Sequence, residues 1–173
     1  VIRSAARLDL PTGGASQAIS YVAKRDRWLE FRLSGATDRI RIRSHGIVDR
    51  DEAFPLSRPF SYALEYKLLD TGGEVLDRRT YHYDVGVRLF RDPETDLIYS
   101  PGVPKDVPGF VTLADLTTLN LSLVKNVAAV QIRLIESDDR LREVDVRVYE
   151  PQSLPAHTVA GAWERLTADE QER

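Results

Sequence analysis

Apolar residues in this chain recur at every second position, and a period of two is the strand period. In Arg27–Leu33, Leu29, Phe31 and Leu33 alternate with Trp28, Glu30 and Arg32. In Asp38–Ser44, Ile40 and Ile42 alternate with Arg39, Arg41 and Arg43. In Phe60–Leu69, Tyr62, Leu64, Tyr66 and Leu68 share one face, while Ala63, Glu65 and Lys67 share the other. Strands with one apolar and one polar face are those of antiparallel sheets that cover a core on one side and meet water on the other.

Turn residues cut the chain at short intervals. Ser34-Gly35-Ala36-Thr37 is expected to close one hairpin. Asp70-Thr71-Gly72-Gly73 is expected to close another, with Glu74–Tyr83 as its return strand. Ser137-Asp138-Asp139-Arg140 joins Val127–Ile135 to Leu141–Tyr149. Gly, Asp and Ser at these points supply positive φ or local side-chain bonds. Weaker strands are expected at Gln17–Ala23, Phe110–Leu113 and Leu119–Val124. Short strands at this spacing predict an all-β fold, a two-sheet antiparallel β-sandwich of jelly-roll or immunoglobulin-like type, over residues 1–151. The segments Arg50–Pro59 and Asp92–Gly109 are proline-rich and irregular, and the second is long enough to be a functional or covering loop.

After Pro151 the period changes. His157–Leu166 places Val159, Ala162, Trp163 and Leu166 on one side of a short helix. Thr167-Ala168-Asp169-Glu170 then reads as a capping box, the signature of a helix beginning. Residues 152–173 are therefore expected to be a helical extension that continues in the natural protein, with Trp163 and Leu166 docking on this domain or on a partner. The chain starts at Val1 and contains no methionine, as a processed exported protein or a piece of a longer one would.

Composition narrows the chemistry. With no cysteine, disulfides, thiol catalysis and cysteine metal sites are excluded. No apolar stretch approaches the ~18 residues of a membrane span. The net charge of −3 gives no basic excess for a polyanion, so no nucleic acid is expected as a partner. Of the 24 basic residues, 20 are arginine, which favours planar, bidentate partners.

Candidate chemistry is scattered. His45, His82 and His157 lie in separate segments with no ligand spacing, although His82 and Asp84 share a strand face. Asp92-Pro93-Glu94-Thr95-Asp96 has carboxylates at alternate positions, as calcium loops do, but Leu97 and Val103 stand where glycine and glutamate are needed. Asp49, Asp51 and Glu52 form a second acidic cluster. No cofactor or metal is expected, calcium being the one ion these loops could serve. Glu30 and Glu65 could face each other as a hydrolase pair, yet Arg32 and Lys67 beside them fit a cross-strand ion-pair ladder better.

Trp28 is out of character on its polar face. With Glu30 and Arg32, and with the loop aromatics Tyr99 and Phe110, it makes a candidate ligand-binding surface. The functional expectation is a non-enzymatic binding or assembly domain of the bacterial cell envelope or periplasm that acts through protein contacts. A carbohydrate-binding module that takes a polysaccharide on Trp28 is the alternative, and a hydrolase with dispersed acids the second alternative.

Overall fold

The computed structural model describes residues 2–4, 6–7, 20–34, 37–49, 58–100 and 109–150, which form strands and no helix. The strands are β1 (Ile2–Ser4), β2 (Ala6–Arg7), β3 (Tyr21–Ala23), β4 (Leu29–Arg32), β5 (Arg39–Val48), β6 (Phe60–Leu69) and β7 (Val75–Val85). They continue as β8 (Phe90–Arg91), β9 (Ile98–Tyr99), β10 (Phe110–Val111), β11 (Asp115–Asn120), β12 (Ala129–Ser137) and β13 (Leu141–Glu150). Among the described residues there is no helix long and apolar enough to cross a membrane.

One sheet runs β1-β4-β12-β6-β7. A second is built on the long β5–β13 pair, with β10 and β11 along the free side of β5 and β3 and β2 along the free side of β13. A small ribbon, β8–β9, stands apart. Pairing is antiparallel throughout, except for β1 with β4 and β2 with β13. The alternation dictates which faces meet. Leu29 and Phe31 of β4, Tyr62, Leu64 and Tyr66 of β6 and Val130 and Ile132 of β12 enter one core. Ile40 and Ile42 of β5, Leu119 of β11 and Val144, Val146 and Val148 of β13 enter the same core from the second sheet. Removing this apolar surface from water is the main force that holds the two sheets face to face.

A polar seam crosses that core. The Ser44 and Tyr62 hydroxyls lie 2.8 Å apart, linking β5 to β6. The Tyr83 hydroxyl lies 2.5 Å from Thr117 Oγ1 of β11 and 2.8 Å from the Tyr66 hydroxyl. Tyr62 and Tyr83 also stack, with ring centroids 4.9 Å apart. Burial pushes all three phenols above their ordinary range, so they stay protonated.

One connection differs from the sequence expectation. β6 and β7 do form a hairpin, closed by Asp70, whose carboxylate accepts the Gly72 and Glu74 N–H groups. The link at Ser34–Thr37 does not close a hairpin, because β4 and β5 belong to different sheets. Their apolar rows oppose each other across the core instead of lying side by side, a choice that alternation alone cannot make. The turn at Asp138–Arg140 joins the two strands expected there, carrying the chain from β12 in one sheet to β13 in the other. The strand expected at Leu119–Val124 lies earlier, at Asp115–Asn120, and is followed by a turn in which Asn126 takes a φ of 64°. The expected helix, with Trp163 and Leu166, lies outside the described residues, as do Asp51, Glu52 and residues 101–108 of the long loop.

Candidate functional site

The outward face of the five-stranded sheet holds a connected set of polar and aromatic side chains. Its rows follow from register. Glu30, Gln131, Lys67 and Arg78 stand side by side on β4, β12, β6 and β7, and Arg133, Glu65 and Thr80 form the next row. Glu65 belongs to the polar positions of β6, yet it is only 1% exposed. Arg133 Nε donates to Glu65 Oε2 at 2.7 Å, and Arg78 Nε donates to Glu65 Oε1 from the other side. Burial alone would raise this carboxyl, but the bonds from the two guanidiniums outweigh it and hold the pKa below the usual range.

Trp28 lies on this network. The Lys67 ammonium is 4.2 Å and the Arg133 guanidinium 4.6 Å from the indole centroid. Both distances are within reach of cation–π attraction. Trp28 and Lys67 are half-buried, so the ring is neither sunk in the core nor free in solvent. Glu30 accepts a hydrogen bond from Gln131 Nε2 at 2.8 Å. Glu30 and Glu65 are two strand spacings apart, roughly 10 Å across the sheet. Each carboxylate is held by its own partners.

Toward the other end of the same face, His82 Nδ1 and Glu136 Oε1 meet at 3.4 Å. β6 separates their strands, and the small side chain of Ala63 lies between them in the register. Ser61, Tyr62, His82, Tyr83, Asp84, Glu136, Ser137 and Asp138 line a cleft of about 440 Å³ there. Asp138 is occupied by Arg140, whose hydrogen bonds are the largest influence holding its carboxyl below the ordinary range. Among the described residues no group of three or more His, Asp or Glu side chains has the geometry to hold a metal ion.

The structure therefore brings together Trp28, Glu30 and their neighbours, with Arg32 exposed at the margin of the same strand. Tyr99 and Phe110 do not join them. Tyr99 stacks on Phe90 in the β8–β9 ribbon, with centroids 6.0 Å apart. Phe110 is 3% exposed and packs in the core beside β5, so its ring is not offered to a ligand. In the acidic loop, Asp92 Oδ1 accepts the Glu94 and Thr95 N–H groups, and Asp96 pairs with Arg91 at 3.3 Å. Arg78 and Gln131 are the participants that sequence reasoning missed. Alternation reveals neither: Arg78 stands beside Lys67 only through the register shift at Leu68 and Leu69, and Gln131 only through the placing of β12 between β4 and β6. No protein-family model matches the chain, and no curated protein matches it either.

Proposed function

We propose that this chain is a β-sandwich of jelly-roll or immunoglobulin-like kind that works as a non-enzymatic binding or assembly domain of the bacterial cell envelope, engaging a protein partner through the outward face of β4, β12, β6 and β7. One observation carries the reading. Trp28 is posed on Lys67 and Arg133, and Arg133 is in turn fixed by the buried Glu65. Trp and Arg are the residues most often found as anchors at protein interfaces. Holding them in place before contact reduces the entropy lost on binding. The two carboxylates nearest Trp28 in this sheet, Glu65 and Glu30, are engaged with Arg and Gln partners, an arrangement that favours recognition over acid–base chemistry.

The test places a photo-crosslinking amino acid at Thr80, which is exposed and in the row of Glu65 and Arg133. The expected product in cells is one covalent protein adduct that disappears in Trp28→Ala. A saturable fluorescence change on adding oligosaccharides, lost in Trp28→Ala and kept in Trp163→Ala, would replace this reading with carbohydrate binding.

A further inference from the structure

The opposite outward face, on β5 and β13, differs in kind. Arg39, Arg41 and Arg43 occupy alternate positions of β5 and are all exposed, while Ile40 and Ile42 between them are fully buried. Two residues of an extended strand advance about 6.8 Å, so the three arginines repeat at that spacing along one line. Arg147 of β13 stands directly opposite Arg43 in the register. Like charges at facing positions of an antiparallel pair destabilise it. Among the described residues, none of the four has a carboxylate within ion-pair distance, and Arg147 bonds only the Ser20 hydroxyl, at 2.9 Å. The acids of β13, Glu143 and Asp145, stand opposite Ile47 and His45, beyond the Arg43 end of the strip.

Beside this strip runs a cleft of about 430 Å³ lined by Arg41, Arg43, Ala114, Asp115, Leu116 and Tyr149. Leu116 is 54% exposed and supplies an apolar wall. Asp115 is half-buried, in the same row of β11 as the inward-facing Thr117 and Leu119. The protein as a whole carries −3, so this cationic line is a local exception that a long polyanion would approach against the net charge.

We infer that the Arg39–Arg41–Arg43 strip is a docking site for an extended acidic segment of a partner protein, with alternate carboxylates in register with the arginines and its apolar side chains against Leu116 and Tyr149. An extended peptide repeats its side chains on one face at the same spacing of about 6.8 Å, and guanidinium pairs carboxylate bidentately. This site is independent of the Trp28 face.

The probe is a dye-labelled heptapeptide in which glutamate alternates with valine, titrated into the whole protein at low salt and followed by anisotropy. A second peptide of the same composition groups its glutamates in one block. The alternating peptide is expected to bind saturably and several-fold more tightly than the block peptide. Binding should weaken about tenfold or more in Arg41→Glu/Arg43→Glu and in Arg41→Gln/Arg43→Gln, and stay unchanged in Trp28→Ala. The Glu variant should also melt about 1–2 °C higher, because it turns the Arg43–Arg147 repulsion into attraction. Absence of saturable binding, equal binding of the two peptides, or binding indifferent to both double variants would overturn the proposal. So would tighter Arg41- and Arg43-dependent binding of polyuridylate or polyuronate, or a melting point that falls by several degrees in the Glu variant.

Discussion

At the scale of single residues, Glu65 and His45 govern the local electrostatics. Glu65 is almost fully enclosed, and its two arginines are 60% (Arg78) and 34% (Arg133) exposed. Replacing Glu65 by Gln leaves a buried amide against two cations and should cost about 2 kcal/mol in urea unfolding. Arg78→Ala should cost under about 1 kcal/mol, since that partner is mostly in water. A larger loss for Arg78 than for Glu65 would contradict this assignment. His45 is half-buried, 3.7 Å from Asp145. Burial first, then the charges of Arg147 and Arg43, pull its pKa down to about 4. At neutral pH it is therefore uncharged in the fold, and its contact with Asp145 is not an ion pair. Below pH ~6.5 the unfolded chain takes up this proton first, so stability falls until pH reaches about 4. Between about pH 7 and pH 5 the loss from His45 is about 2 kcal/mol. Asp145, raised chiefly by burial, works in the opposite direction. In urea titrations at both pH values, His45→Asn should lose markedly less stability than the wild type; equal losses would remove His45 as the cause.

At the scale of elements, the periodicity of two located the main strands well. Phe60–Leu69 is a strand over the range its alternation predicts, and Leu141–Tyr149 is extended by one residue. What alternation could not give is which strand lies beside which. Leu29 and Phe31 satisfy their burial equally well beside Ile40 and Ile42 or across the core from them, and the structure takes the second arrangement. Polar positions were also misread where long side chains fold over a neighbour. Glu65 counts as solvent-facing by pattern, yet the arginines of β12 and β7 close over it. Phe110, expected as a loop aromatic at the head of a weak strand, pairs with Val48 and is carried inward. That pairing depends on Gly109, which has a φ of +101° and where an added Cβ would sit 2.5 Å from the Val48 carbonyl oxygen. Gly109→Ala should therefore destabilise the fold by about 2–4 kcal/mol, read from the thermal or urea transition. A change within about 0.5 kcal/mol would show that β10 contributes little. Among the described residues β7 has β6 as its one neighbour in the sheet order. A register shift opposite Leu68 and Leu69 and the half-buried Asp77–Arg79 pair, bonded at 2.7 Å, blunt it against further strand pairing.

At the scale of the whole molecule, two sheets share one core and turn chemically different faces outward. Around Trp28, Glu65 and Glu30 are engaged with arginine and glutamine partners, whereas among the described residues the arginines along β5 have no carboxylate partner. Two such surfaces on one domain suit the proposed role of joining partners. The direct test is isothermal titration of the intact protein with the purified protein that cross-links at position 80. The account predicts saturable binding that weakens about thirtyfold or more in Trp28→Ala, the loss expected of a central anchor, while Arg78→Ala changes it only a few-fold. Affinity that is the same in Trp28→Ala as in the wild type would contradict the claim that this face is the recognition surface.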